Sequence, residues 1–195
     1  MKTRVITAIV ALAIFIPLLV YGHWPLTLAM IVLGIVAMGE VLAMKKILLI
    51  SWEGLLSFIG VAIMILPQSW LTWLPSNQTR YFTIYVIMAI MLLLTVFFHK
   101  TFNFDDAGVL VLAMVYIGVG FNFFLQARAE SLETLLYGVL TVWITDSGAY
   151  LIGRKLGKHK LAPYVSPHKT WEGSVGGTLS AVIIMAIYLK FFPVG

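Results

Sequence analysis

The stretch "WITDSGAYLIGRKLGKHKLAPYVSPHKTWEGSVGG", residues 143–177, decides the reading of the chain. It begins inside an apolar run that carries one carboxylate, Asp146. It then turns basic through Arg154, Lys155, Lys158 and Lys160, and after Lys169 it re-enters an apolar run rich in glycine. Each flanking run is long enough to belong to a bilayer crossing of about 17–25 residues. The basic centre is what a cytoplasmic loop carries. A carboxylate at the centre of a membrane helix costs roughly 2.5–3.5 kcal/mol on insertion scales, so Asp146 should face a bundle interior or a wet cavity.

Outward from this stretch the whole chain reads the same way. Of its 195 residues 61% are hydrophobic and 11% charged, against roughly 45–50% and 25% in soluble domains. The mean hydropathy is +1.00. Further apolar runs fall near 5–22, 25–44, 54–74, 81–98 and 107–125, with the last two near 134–153 and 174–192. The expectation is an all-α polytopic bundle of about seven transmembrane helices, forming one membrane domain over residues 1–195. Pro67 interrupts the third run. The first run has no small-residue cleavage site after it and reads as a retained helix rather than a signal peptide. With the N-terminus cytoplasmic, Lys2, Arg4, Lys45, Lys46, Lys100, Arg154, Lys155, Lys158, Lys160 and Lys169 fall inside, and Arg80, Arg128 and Lys190 outside. That is the positive-inside pattern. Trp24, Trp70 and Trp73 mark the outer interface, Trp52 and Trp171 the inner one. The net charge of +5 therefore reports topology, not a nucleic-acid partner. The absence of cysteine excludes disulfides and thiolate metal sites.

The loop supplies the chemistry. Thr141, Thr145 and Gly148, with Trp143, Asp146 and Tyr150, give the sixth helix one broad polar and small side. Arg154, Lys155, Lys158, Lys160 and Lys169 surround His159 and His168, an arrangement that suits a polyanion as well as anionic headgroups. Gly153 and Gly157 would let backbone approach closely. In "SPHKTWEG", 166–173, Pro167 suits a first helical turn and Ser166 an N-cap, which predicts a helix start with free N–H groups for a phosphate. Gly173, Gly176, Gly177 and Ser180 share one face of the seventh helix and predict tight packing, with the sixth helix as the candidate partner. Glu40 sits one turn from Lys45 and Lys46. Asp105 and Asp106 read as a dipole-favoured start to the fifth helix. His23 and His99 read as interfacial.

A buried carboxylate, a ring of cations and a phosphate-friendly helix start at lipid-phosphate depth fit a hard cation such as Mg²⁺, which takes one or two carboxylates plus substrate phosphates. This points to metal-assisted phosphoryl or nucleotidyl transfer to a lipid headgroup. A transporter or lipid-binding protein with Asp146 as its ion site is the rival from another class.

"TDSGAYLIGRKLGKHKLAPYVSPHKTWEGSVGG", 145–177, closely resembles the bacterial phosphatidate cytidylyltransferases, also called CDP-diacylglycerol synthases. The family's D-[ST]-G-A-Y-x-x-G-[RK]-x-x-G-[KR]-x-K-[LM] and SP-x-KTWEG-x-x-GG elements match almost position by position. The resemblance implies transfer of CMP from CTP to phosphatidic acid with Mg²⁺, in a bacterial inner (cytoplasmic) membrane with the active side cytoplasmic. It implies that Asp146 holds metal and acts with Lys169 in catalysis. Arg154, Lys155, Lys158, Lys160, Ser166, His168, Thr170 and Glu172 would bind substrate. The family's further signature, ending in HGG-x-x-DR-x-D, is not present in these 195 residues. The expectation is that this is a C-terminally truncated chain of weak or no activity, a non-catalytic fragment of the fold, or a chain whose site a second one completes, a homodimer included.

Overall fold

The computed structural model describes residues 2–71 and 77–192, so Trp73 lies outside the described residues. Among the described residues there are seven α-helices, one in each apolar run: α1 (Lys2–Tyr21), α2 (His23–Met44), α3 (Trp52–Ile65), α4 (Asn77–Phe97), α5 (Phe104–Glu130), α6 (Leu132–Leu156) and α7 (Trp171–Phe191). Five helical segments are long and apolar enough to cross a membrane: α2, residues 80–97 of α4, α5, α6 and α7. The class is all-α, with one addition that the sequence did not suggest, a short antiparallel hairpin of β1 (Lys160–Ala162) and β2 (Ser166–Thr170). Contacts group the chain into two compact units, Met1–Ala129 and Glu130–Gly195.

In the first unit the helices meet through small residues and methionines. α2 buries Leu26, Met30, Gly34, Met38 and Leu42, a stripe at four-residue spacing that keeps one face of the helix inward. A methyl group at Gly34 would strike the Ile65 side chain. One at Gly60 would strike Met114, and one at Gly118 would strike Met64. These positions hold α2, α3 and α5 at close range, as small residues do between apolar helices.

The third run departs from expectation. α3 stops at Ile65, because Pro67 disfavours helical backbone at Leu66 and cannot donate the next hydrogen bond. At 14 residues it is about 21 Å long, shorter than a hydrocarbon core of about 30 Å. A 3-10 turn, Gln68–Trp70, follows. The carbonyls left at the broken end take side-chain donors: Asn122 Nδ2 donates to Ile65 O at 3.0 Å, and Arg80 to Leu66 O at 2.7 Å. Arg80 also reaches Gln68 Oε1 at 3.3 Å.

The other ends are closed by specific pairs. Asp106 and Asn103 exchange hydrogen bonds at the start of α5, with Asp106 N–H donating to Asn103 Oδ1 at 2.9 Å and Asn103 N–H to Asp106 Oδ2 at 3.3 Å. The expected role of Asp106 is therefore present, and Lys45 pairs with it at 2.5 Å. Lys45 thus joins Asp106 rather than Glu40, which is exposed. Between α1 and α2, Gly22 adopts φ +69° and His23 φ 49°. The guanidinium of Arg128 lies against this turn, where a Cβ on residue 22 would stand 3.0 Å from Arg128 Cζ. Arg128 donates from Nε to Leu19 O and from Nη2 to Val20 O, each at 2.7 Å. The fifth helix thereby caps the first.

In the second unit, Ser131 caps α6, accepting from Thr134 N–H at 2.9 Å. α6 and α7 then pack along a seam of small residues. A Cβ on Gly177 would come within 2.5 Å of Thr145 O and 2.8 Å of Ala149 Cβ. One on Gly173 would come within 2.8 Å of Ala149 O, and one on Gly148 within 3.0 Å of Ser180 Cβ. The glycine face of the seventh helix packs as the sequence predicts, and its partner is α6.

A cavity between two helices and a hairpin

The hairpin sits where α6 ends and α7 begins, and it changes the expected role of Ser166. Ser166 does not cap α7. It pairs with Ala162 in the β-ribbon, while Lys160 pairs with Thr170. The proline that suited a helix start also pushes its predecessor into extended backbone. In a two-stranded ribbon both strands are edges, so the missing N–H of Pro167 is tolerated. The cap is Thr170, whose Oγ1 accepts from Gly173 N–H at 3.1 Å in extended backbone, φ −127° and ψ 154°. Thr170 is buried against Gly153 and Gly157. Those two glycines allow the close approach that the sequence predicts, with Gly153 against Gly173 and both against Thr170.

Glu172 is engaged with the loop. Its carboxylate accepts from Lys158 N–H at 3.1 Å and from His159 N–H at 3.2 Å, and lies 2.6 Å from His159 Nδ1. Trp171 N–H donates to His159 O at 3.0 Å beside it. One side chain from the first turn of α7 thus fastens the strand of chain that leaves α6.

These elements enclose a cavity of about 690 Å³. α6 contributes Thr145, Asp146, Tyr150, Gly153 and Arg154, the hairpin Leu161, Ser166, His168, Lys169 and Thr170, and α7 Gly173, Ser174 and Thr178. Of the residues singled out from sequence, Asp146, Arg154, Ser166, His168, Lys169 and Thr170 meet here. Lys155, Lys158, Lys160 and Glu172 do not line it. Arg154 lies at 5.9 Å from the Tyr150 ring centroid, a cation–π contact that orients the guanidinium at the wall. Tyr150, Ser174 and Thr178 join the lining without having been named as site residues. Their signal was present, since Tyr150 stands one turn from Asp146, and Ser174 and Thr178 stand one turn apart on α7.

Asp146 is exposed to the cavity and forms no hydrogen bond or ion pair with any described residue. Among the described residues it therefore ties α6 to no neighbouring helix. The hydroxyl of Thr145 is committed to Thr141 O at 2.7 Å and that of Thr141 to Tyr137 O at 2.7 Å. Asp146 is the cavity's one carboxylate. Among the described residues no three His, Asp or Glu side chains gather at a metal-binding distance. One carboxylate beside hydroxyls and cations is too little to hold a divalent cation alone. It fits a Mg²⁺ ion that arrives already bound to phosphate oxygens. The arrangement has the chemistry to receive a polyanion: Lys169, Arg154 and His168 could face its negative charge, and Asp146 a cation that accompanied it.

Comparison with known proteins gives the family. Residues 2–194 match the family model described as "Cytidylyltransferase family". The chain is 40% identical over 191 residues to proteins named phosphatidate cytidylyltransferase in Staphylococcus haemolyticus and Staphylococcus aureus, and 38% identical to the one in Staphylococcus saprophyticus. Each alignment covers 98% of this chain and 73% of the relative. No solved structure matches it.

Proposed function

The chain belongs to the cytidylyltransferase family, and from that premise we propose that it transfers CMP from CTP to the phosphate of phosphatidic acid, giving CDP-diacylglycerol and pyrophosphate. The observation that carries this reading is the unpartnered carboxylate of Asp146 in one cavity with Lys169, Arg154 and His168, at the mouth of two apolar helices.

A phosphate oxygen of phosphatidic acid attacks the α-phosphorus of CTP. The new P–O bond forms as the bond to the β-phosphate oxygen breaks, and pyrophosphate leaves. The nucleophile is already anionic, so no residue has to remove a proton from it. What the protein supplies is alignment and charge neutralisation. Lys169 projects from the hairpin, and Arg154 from the last turn of α6, to bind phosphate oxygens of the two anionic substrates. His168 and the Ser166 hydroxyl donate from the same strand. Asp146 is the residue that would hold a Mg²⁺ ion arriving with CTP, and the ion would supply charge neutralisation at the phosphates. Lys155, Lys158 and Lys160 lie off the cavity, where their charge draws anions toward it. Thr170 and Glu172 position the hairpin. The protein crosses a bacterial plasma membrane with its N-terminus and this cavity on the cytoplasmic side, where the lysines and CTP are found.

The test is equilibrium binding of CTP to the full chain in nanodiscs, with and without Mg²⁺, alongside conversion of labelled CTP into CDP-diacylglycerol. Asp146→Asn should abolish the Mg²⁺-dependent part of CTP binding and lower turnover by about 100-fold or more, at unchanged helicity. Full retention of Mg²⁺-dependent binding in that variant would overturn the assignment.

A further inference from the structure

The tip of the hairpin is unlike the rest of the loop. Pro163, Tyr164 and Val165 form the turn between β1 and β2, and the tyrosine and valine are 102% and 87% exposed, so neither packs on any described residue. Two further apolar side chains flank the hairpin's base, Leu156 at the end of α6 and Trp171 at the start of α7, 63% and 57% exposed. Both helices are long and apolar enough to cross a membrane. The hairpin that joins them therefore lies at the level where they leave the hydrocarbon. Residues 154–170 contain no acidic side chain, while Lys155, Lys158, Lys160 and Lys169 are all exposed there. The nearest carboxylate, Glu172, is engaged with Lys158 and His159. Apolar and aromatic groups at a turn, ringed by lysines, match a layer whose headgroups are negative and whose acyl edge is apolar.

We propose that the Pro163–Val165 turn inserts into the anionic headgroup layer of the membrane that α6 and α7 span, with Tyr164 and Val165 reaching the acyl boundary and Lys155 and Lys160 resting on lipid phosphates. β2 runs directly from this turn and carries Ser166, His168 and Lys169 into the cavity wall. The membrane surface thus becomes one of the supports of that wall. The inference requires only that the chain is embedded in a membrane and is independent of the reaction.

The chain has no cysteine, so a single introduced thiol can be labelled uniquely. Val165→Cys and Tyr164→Cys would each carry a nitroxide, with Lys158→Cys as the aqueous reference, in nanodiscs of phosphatidylcholine with or without phosphatidylglycerol. Collisional access to oxygen and to a water-soluble nickel chelate is read by EPR. At 164 and 165, oxygen access should exceed nickel access in anionic membranes. That order should reverse without anionic lipid, or in about 1 M salt, where screening acts over about 3 Å. Position 158 should stay nickel-accessible throughout. Nickel access at 164 and 165 equal to that at 158 in anionic membranes would overturn the proposal. So would exclusion of both reagents, the mark of a protein partner on the turn, and so would equal oxygen access in the two lipid compositions.

Discussion

The seam between α6 and α7 allows a prediction in which geometry and energy separate. In Gly177→Ala the new Cβ would stand 2.5 Å from Thr145 O, 2.8 Å from Ala149 Cβ and 2.9 Å from Ala149 N. Ordinary contact begins near 3.4 Å, so the closest approach is about 0.9 Å too short. The opposing atoms are helix backbone and a Cβ fixed to it, which cannot rotate away. The two helices must separate. Overpacking of this kind costs about 1–3 kcal/mol. Alanine recovers about 1 kcal/mol of helix propensity over glycine, so stability alone falls only modestly. Gly138→Ala on α6 is the matched control, because nothing lies within 4 Å of its Cβ and it gains propensity without a clash. Denaturant unfolding in mixed micelles should place Gly177→Ala about 1–3 kcal/mol below Gly138→Ala. Function should separate them further. Asp146 rides on α6, and Lys169 and Thr170 lead into α7, so a displacement near 1 Å across the cavity should lower turnover by about 100-fold. If Gly177→Ala matches Gly138→Ala in both unfolding and turnover, the seam does not set the cavity's width.

Two more outcomes follow from the hairpin. Thr170→Val keeps the shape of the side chain but removes the acceptor for Gly173 N–H, and should cost about 1 kcal/mol in unfolding. Thr170→Ser should keep most of it, and equal loss in the two variants would refute the cap. Glu172→Gln replaces an acceptor-only carboxylate, held by two backbone N–H groups, with an amide that presents its own donors. Hydrogen exchange at Lys158 and His159 should become several-fold faster while the interior amides of α6 stay protected, and unchanged exchange at 158–159 would refute the fastening role.

The comparison between sequence and structure is instructive residue by residue. The helices were legible because apolar runs of membrane length leave the backbone no other way to satisfy its hydrogen bonds. The α6–α7 seam was legible because Gly173, Gly176, Gly177 and Ser180 repeat at helical spacing. Asp146 was legible because a carboxylate in such a run needs a reason. The hairpin was not. β2 has five residues with no apolar alternation, and its pairing with Lys160–Ala162 is set by tertiary contact. Ser166 and Thr170 are both good N-caps, and only that pairing selects Thr170. The clasp of Glu172 was not legible, because its partners, the N–H groups of Lys158 and His159 and the His159 ring, stand 13 and 14 residues earlier, a separation that no local spacing rule contains. The close approach at Gly153 and Gly157 was legible, since glycine makes room, but sequence does not show that Thr170 and Gly173 are what approaches.

The clasp between Arg128 and the end of α1 bears on the order in which the protein can be built. The carbonyls of Leu19 and Val20 find their charged donor 109 and 108 residues further along the chain. During synthesis these two carbonyls are made long before the arginine. Until the fifth helix arrives, the α1–α2 turn, with its two positive-φ residues, has to rely on water or headgroups for those two carbonyls. The α1–α2 turn is thus made well before the side chain that completes it. A chain arrested between α2 and α5 should present that turn open, and release past residue 128 should close it.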